Sequence, residues 1–265
     1  MNAHEIDYEI IGDDLQCVSI ELDPDETVIA EAGGMMMMES DIEMNTIFGD
    51  GSKNDKGLMN KLFSAGKRVL TGESLFMTSF THRGFDKAKV TFASPYPGKI
   101  IPMDLSEMGG KIICQKEAFL CAAKGVSIGI EFQKRLGVGF FGGEGFIMQK
   151  LEGDGMSFLH AGGTVVEKTL KSGEVINVDT GCLVALSAEV DYNIRLQKGI
   201  KNSLFGGEGL FLATLKGPGK VWIQSMPLSR LADRIYAYAP KAGGKSKGEG
   251  SVLGKLGGWI DGDNF

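Results

Sequence analysis

Histidine, proline and cysteine are all scarce in this chain, and each shortage closes a route. The three histidines, His4, His82 and His160, are too few and too scattered for the convergent imidazoles of a barrel metal site, so no metal ligand and no cofactor is assigned. Only seven prolines accompany abundant glycine, which speaks for tight turns rather than a disordered low-complexity chain. The four cysteines, Cys17, Cys114, Cys121 and Cys182, form no CxxC pair, and each sits in an apolar run that suits a buried free thiol. The polar, acidic start MNAHEIDYEIIGDD has no basic stretch followed by an apolar one, so the expected location is a reducing cytoplasm. No apolar run reaches the ~20 residues of a membrane-crossing helix. Basic charge is short as well. The formal net charge of −6 repels nucleic-acid phosphates and anionic lipid on average, so neither is an expected partner.

Glycine is what the chain has in surplus: 39 of 265 residues, about twice the usual share. Many of these glycines fall in a repeat. Gly142-Gly143-Glu144-Gly145 precedes the apolar run Phe146-Ile147-Met148, and Gly206-Gly207-Glu208-Gly209 precedes Leu210-Phe211-Leu212. A weaker copy is Thr71-Gly72-Glu73-Ser74 before Leu75-Phe76-Met77. Upstream of each lies a second landmark: DETVIAEAGGMMMM from Asp25, GGKIICQKEAFLCAA from Gly109, and KSGEVINVDTGCLVAL from Lys171. Read by eye, these align Val28 with Ile112 and Val175, and Gly34 with Ala118 and Gly181. The distance to the repeat glutamate is 32 residues from Ile112, 33 from Val175 and 45 from Val28. The surplus in the first copy matches a polar insertion, Gly49 to Lys61. Two landmarks in constant order and spacing indicate one unit written three times.

Each copy reads as β structure. Val175–Asp179, Cys182–Leu186, Leu210–Leu215 and Lys220–Ser225 are short runs rich in branched and aromatic residues, with turns at Thr180-Gly181 and Lys216–Gly219. The second copy repeats this as Phe146–Leu151, a turn at Glu152–Gly155, and Met156–His160. Strands every 8–12 residues indicate a sandwich or barrel. Leu228, Leu231, Ile235 and Tyr238 instead make a helical stripe, with Ser225 as the expected N-cap and Pro227 in the first turn. After Pro240 the chain carries eight glycines and four lysines, the composition of a flexible tail. The expected organisation is one domain over residues 1–238, with repeats near 1–95, 96–160 and 161–238, and a tail over 239–265.

The stretches GGEGFIMQKLEGDG and VDTGCLVALSAEVDYNIRLQKGIKNSLFGGEGLFLATLKGPGKVWIQSMPLSRLADRI, with the three-copy layout, resemble the AIM24 family over roughly residues 5–238. The resemblance implies an all-β fold similar to the tryptophan RNA-binding attenuation protein. In such a TRAP-like fold, three short double-stranded β-helix or sandwich units pack about a pseudo-threefold axis, with a short C-terminal helix. It carries over no catalytic residue, and bacterial members have no settled activity. The mitochondrial branch is linked to inner-membrane organisation, but the polar, acidic start of this sequence is not the Arg- and Ser-rich leader of that branch, so a membrane-organising role is not expected.

The repeat turns, Gly72, Glu73, Gly143, Glu144, Gly145, Gly207, Glu208 and Gly209, are assigned a structural role. Each opens a β-run and carries an acid, whereas a phosphate loop opens a helix and usually carries a lysine. Met35-Met36-Met37-Met38 is expected to be a doubly buried strand aligned with Cys182–Ala185, with an oligomer contact or apolar groove as the alternative. The resulting expectation is a non-enzymatic scaffold acting through self-association, a homo-oligomer with a trimer as first candidate, or through other protein partners. A ligand- or RNA-binding module is the alternative, resting on fold analogy alone. Arg195, Lys198 and Lys201 cluster in the third copy, but the second has Glu131, Lys134 and Arg135, so no basic stripe repeats.

Overall fold

The computed structural model describes residues 2–31, 33–48, 76–134, 146–196 and 211–239. An added strand β1 (Asp7–Ile11) precedes a first set of β2 (Cys17–Leu22), β3 (Thr27–Glu31), β4 (Met35–Met38), β5 (Ile42–Phe48), β6 (Phe76–His82) and β7 (Ala88–Ala93). The second set is β8 (Gly98–Asp104), β9 (Lys111–Gln115), β10 (Phe119–Ala123), β11 (Ser127–Lys134), β12 (Phe146–Glu152) and β13 (Met156–Gly162). The third is β14 (Val165–Leu170), β15 (Val175–Asp179), β16 (Leu183–Ser187), β17 (Asp191–Leu196), β18 (Phe211–Lys216) and β19 (Gly219–Gln224), followed by helix α1 (Leu228–Tyr238). The helix begins later than its sequence pattern suggests. The Ser225 hydroxyl does not cap it but accepts from the Thr164 backbone N–H at 2.8 Å. The chain divides into two compact units, one ending at Ser229 and the other starting at Arg230; the described part of the latter is helical up to Tyr238.

The three strand sets pair alike. β7 lies between β2 and β4, as β13 lies between β8 and β10, and β19 between β14 and β16. β6 lies between β3 and β5, as β12 lies between β9 and β11, and β18 between β15 and β17. Even a one-residue bulge recurs, between Met35 and Met37, Phe119 and Cys121, and Leu183 and Ala185. A bulge sets register and twist, so its repetition fixes which residues are equivalent. The registers correct the alignment by eye in the third copy. A 3-10 turn starts at Lys116 in the second copy and at Thr180 in the third, four residues after Ile112 and four after Ile176. Ile176, not Val175, therefore matches Ile112, and Cys182, not Gly181, matches Ala118. With that shift both copies place their glutamate 32 residues downstream.

Neighbouring repeats are joined within a sheet. β10 pairs with β3, setting Ala122 opposite Ile29, and β16 pairs with β9, setting Leu186 opposite Ile113. Two six-stranded sheets result, each contributed half by one repeat and half by the next. Successive residues of a strand point to opposite faces. Val28 and Ala30 thus enter the core of the first repeat, whereas Ile29 enters that of the second. In the same way Ile112 and Cys114 enter the second core and Ile113 the third. Both faces of β3 and β9 are buried, which explains their unbroken apolar sequence.

A polar clamp also links repeats. Gln224 is buried; its Oε1 accepts from the Gly162 N–H at 2.7 Å, and its Nε2 donates to the Gly181 carbonyl at 2.8 Å. The register makes His160 its counterpart, one residue past Leu159 as Gln224 is one past Ile223. His160 bonds the Glu117 backbone, the equivalent of Gly181. One repeat back, however, Ile100 faces His160 as Val165 faces Gln224, so the position of Gly162 is held by Pro97, which has no N–H to give. His160 Nδ1 is consequently buried with no hydrogen-bond partner among the described residues, and the Tyr96 ring stands edge-on to the imidazole at 4.9 Å.

Burial disfavours the charged imidazole and lowers the His160 pKa from 6.5 to about 4. The unfolded chain therefore takes up a proton near pH 6.5 that the folded chain refuses until about pH 4. Stability should fall as pH drops through that window, by about 3 kcal/mol from this group. His4 adds to the same slope: its Nδ1 accepts from the Thr27 N–H at 3.0 Å, and burial followed by Lys124 lowers its pKa. Urea unfolding at pH 7 and pH 4.5 should show a smaller difference for His160→Gln than for the parent; an unchanged difference would exclude His160 as the source. The thiols give a second check. Cys114, Cys121 and Cys182 are buried, and burial raises the first two well above the usual thiol range, whereas Cys17 is partly exposed. A water-soluble disulfide reagent should modify one thiol of the native chain quickly and the remaining three only on unfolding. Fast modification of two or more would contradict the packing.

Candidate interaction edge

Among the described residues, those that sequence singled out do not gather into one pocket. Gly72, Glu73, Gly143, Glu144, Gly145, Gly207, Glu208 and Gly209 lie outside the described residues, as do the Gly49–Lys61 insertion and the glycine-rich tail. The three histidines are dispersed. His4 bonds β3, His160 belongs to the clamp, and His82 is fully buried at the end of β6, with neither ring nitrogen in a hydrogen bond among the described residues. No group of three or more metal-ligating side chains occurs among the described residues. Nor, among them, is any helix long and apolar enough to cross a membrane.

The methionine run is the feature the fold brings forward. Expected to be buried on both faces like its counterparts, it is not. Met36, Met37 and Met38 are 53%, 54% and 39% exposed, whereas all residues of β10 and β16 are buried. The cause is position in the chain. β10 and β16 each have an earlier repeat beside them to pair with, and β4, in the first repeat, has none. One side of β4 pairs with β7; the other is an edge of its sheet with no partner strand among the described residues.

The opposite end of the array shows the complementary situation. β3 and β9 are each covered by the following repeat, but β15 ends its sheet, pairing among the described residues with β18 alone. Sequence reasoning missed this edge, although a signal was there: in correct register, the position held by buried Ile29 and Ile113 is Asn177, which is exposed. Asn177 Oδ1 accepts from Thr214 Oγ1 at 2.8 Å, so this side-chain acceptor is satisfied without a neighbouring repeat. Leu212, the equivalent of buried Met77 and Met148, is half-buried on that face. The bulge residues complete the comparison. Leu120 and Val184 are buried; Leu120 Cδ1 sits 3.2 Å from where a Cβ on Gly34 would be, and Val184 shares a core with Ala118. Their counterpart is Met36, and the counterpart of Gly34 and Ala118 is Cys182.

Other proteins share this architecture. A crystal structure of a Streptococcus pyogenes protein superposes with a TM-score of 0.67 at 26% identity, covering 89% of this chain and all of that one. An uncharacterized protein of Streptococcus pyogenes serotype M6 is 31% identical over 226 residues, 84% of this chain and 86% of its own length. The profile of the family described as mitochondrial biogenesis AIM24 matches residues 8–226, which span all three repeats, and the chain therefore belongs to the AIM24 family.

Proposed function

We propose that this chain is a non-enzymatic structural protein that acts by self-association, using its repeats as building units of a larger assembly. The observation that carries this reading is the exposure of β4, an edge strand of four consecutive methionines. Sheet proteins usually guard their edges with lysine, proline or a covering segment, because unpaired N–H and C=O groups recruit other strands. β4 has neither residue, and methionine is the apolar side chain best able to adapt to a docking surface. The chain already uses this strand type for association twice, in β10 and β16. The buried thiols and the uncharged His160 support a packing role for groups that could otherwise carry chemistry.

Light scattering over a range of concentrations tests the proposal. The parent chain should grow in mass with concentration, and Met36→Lys or Met37→Lys should raise the dissociation constant by about tenfold or more. Both side chains are exposed, so unfolding stability should move by no more than about 0.5 kcal/mol. A parent chain that stays monomeric at high micromolar concentration would remove the proposal.

A further inference from the structure

The two open edges are the two halves of a junction that the chain makes twice internally, and we infer that they join two copies head to tail: β4 of one copy pairs antiparallel with β15 of the next. This deepens the self-association reading and rests on it.

The register follows from the internal junctions. Cys121 faces Ala30 and Ala185 faces Cys114; Ala122 faces Ile29 and Leu186 faces Ile113. Carrying the same equivalences forward puts Met37 opposite Val178 and Met38 opposite Asn177. The bulged Met36 then sits over Cys182, as Leu120 sits over Gly34. Asn177 and Leu212 of one copy enter the first-repeat core of the next, beside Met35 and Met38, as Ile29 and Met77 enter the second core of the same chain. The outer sides of β4 and β15, which have no partner strand among the described residues, gain one, and exposed methionines become buried, which are the two contributions that hold the internal junctions.

The residue types suit a reversible contact. Asn177 replaces an isoleucine, so the junction between copies buries less apolar surface than the internal ones. Its side-chain oxygen keeps the Thr214 hydrogen bond, so no unpaired acceptor is carried inward. The pairing is heterologous, because β4 meets β15 and not another β4. It therefore closes into a ring or runs on as a filament, according to the rotation per copy.

Complementation between blocked chains tests the junction on the full-length protein. Met38→Lys disables β4, and Asn177→Lys disables β15 by placing a lysine where the internal junctions bury isoleucine. Each variant alone should be monomeric, with a dissociation constant raised at least tenfold. An equimolar mixture should give a one-to-one dimer and nothing larger, since each pair retains one intact β4 and one intact β15. Folding of each variant is checked by circular dichroism, and a Met38→Cys/Asn177→Cys double variant supplies an independent readout. Mild oxidation should link its copies between residues 38 and 177, identified by peptide mapping.

Failures of the two readings separate. A parent chain that is monomeric throughout overturns self-association and this junction together. A parent that assembles while both lysine variants assemble equally well overturns the junction alone. Loss of assembly in Met38→Lys but not in Asn177→Lys overturns head-to-tail pairing in favour of β4 meeting β4. Absence of the dimer in the mixture, together with absence of the 38–177 crosslink, also overturns it.

Discussion

Everything in this molecule depends on one kind of contact, the in-sheet pairing of β10 with β3 and of β16 with β9. A repeat here is two three-stranded layers, too little surface to bury a full core alone. At each of the two junctions, pairing across repeats joins two layers into a six-stranded sheet and sends a residue such as Ile29 or Ile113 into the neighbouring core. The hydrogen bonds set the register, and the register decides which side chains cross over. A slip of one residue would turn Ile29 back toward its own repeat and push Val28 and Ala30 outward. Hydrogen bonding and apolar packing are thus specified together, and the recurring bulge at Met36, Leu120 and Val184 locks the register where β4, β10 and β16 meet their partners.

Much of this was legible in the sequence because glycine turns and apolar runs recur with fixed spacing. The strands around Val175–Asp179 and Phe146–Glu152 fall within a residue or so of the pattern reading. The alignment by eye failed by one position in the third copy because hydrophobicity was the guide: Val175 looks like Ile112, but it stands at the place of Lys111 and is exposed. At a free edge the sequence is released from the demand for burial, so side-chain type stops reporting strand position. Ser225 misled for a related reason. It has the chemistry of a helix cap, but a backbone N–H from Thr164 reaches its hydroxyl first.

Exposure of the methionine run is the largest departure of the fold from the sequence pattern, and its cause is physical. An apolar tetrapeptide that aligns with buried strands reads as buried, since composition records what a strand can pack against and not whether a neighbour is present. Position in the array supplies that information. Of three equivalent strands, two have a preceding repeat and one does not. The candidate edge is therefore legible in the sequence, but its exposure follows only from the strand pairing between repeats. Nothing comparable marked β15, where the informative residue is a polar one, Asn177, at an otherwise apolar position.

Comparison of the two clamps shows how closely the repeats constrain one another. Gln224 presents an acceptor and a donor and finds partners for both, because Gly162 has an N–H and Gly181 a carbonyl in reach. His160 occupies the same place with one nitrogen bonded and the other without a partner among the described residues, since Pro97 replaces the donor. An imidazole tolerates this better than an amide: it retains an apolar ring face for Tyr96 and leaves a single lone pair unsatisfied. The proline restricts the backbone at the crossover from the first repeat to the second, and the histidine is the side chain that accommodates the lost donor. The exchange of Gln for His and of Gly for Pro is therefore one coupled change, made at the point where one repeat hands the chain to the next.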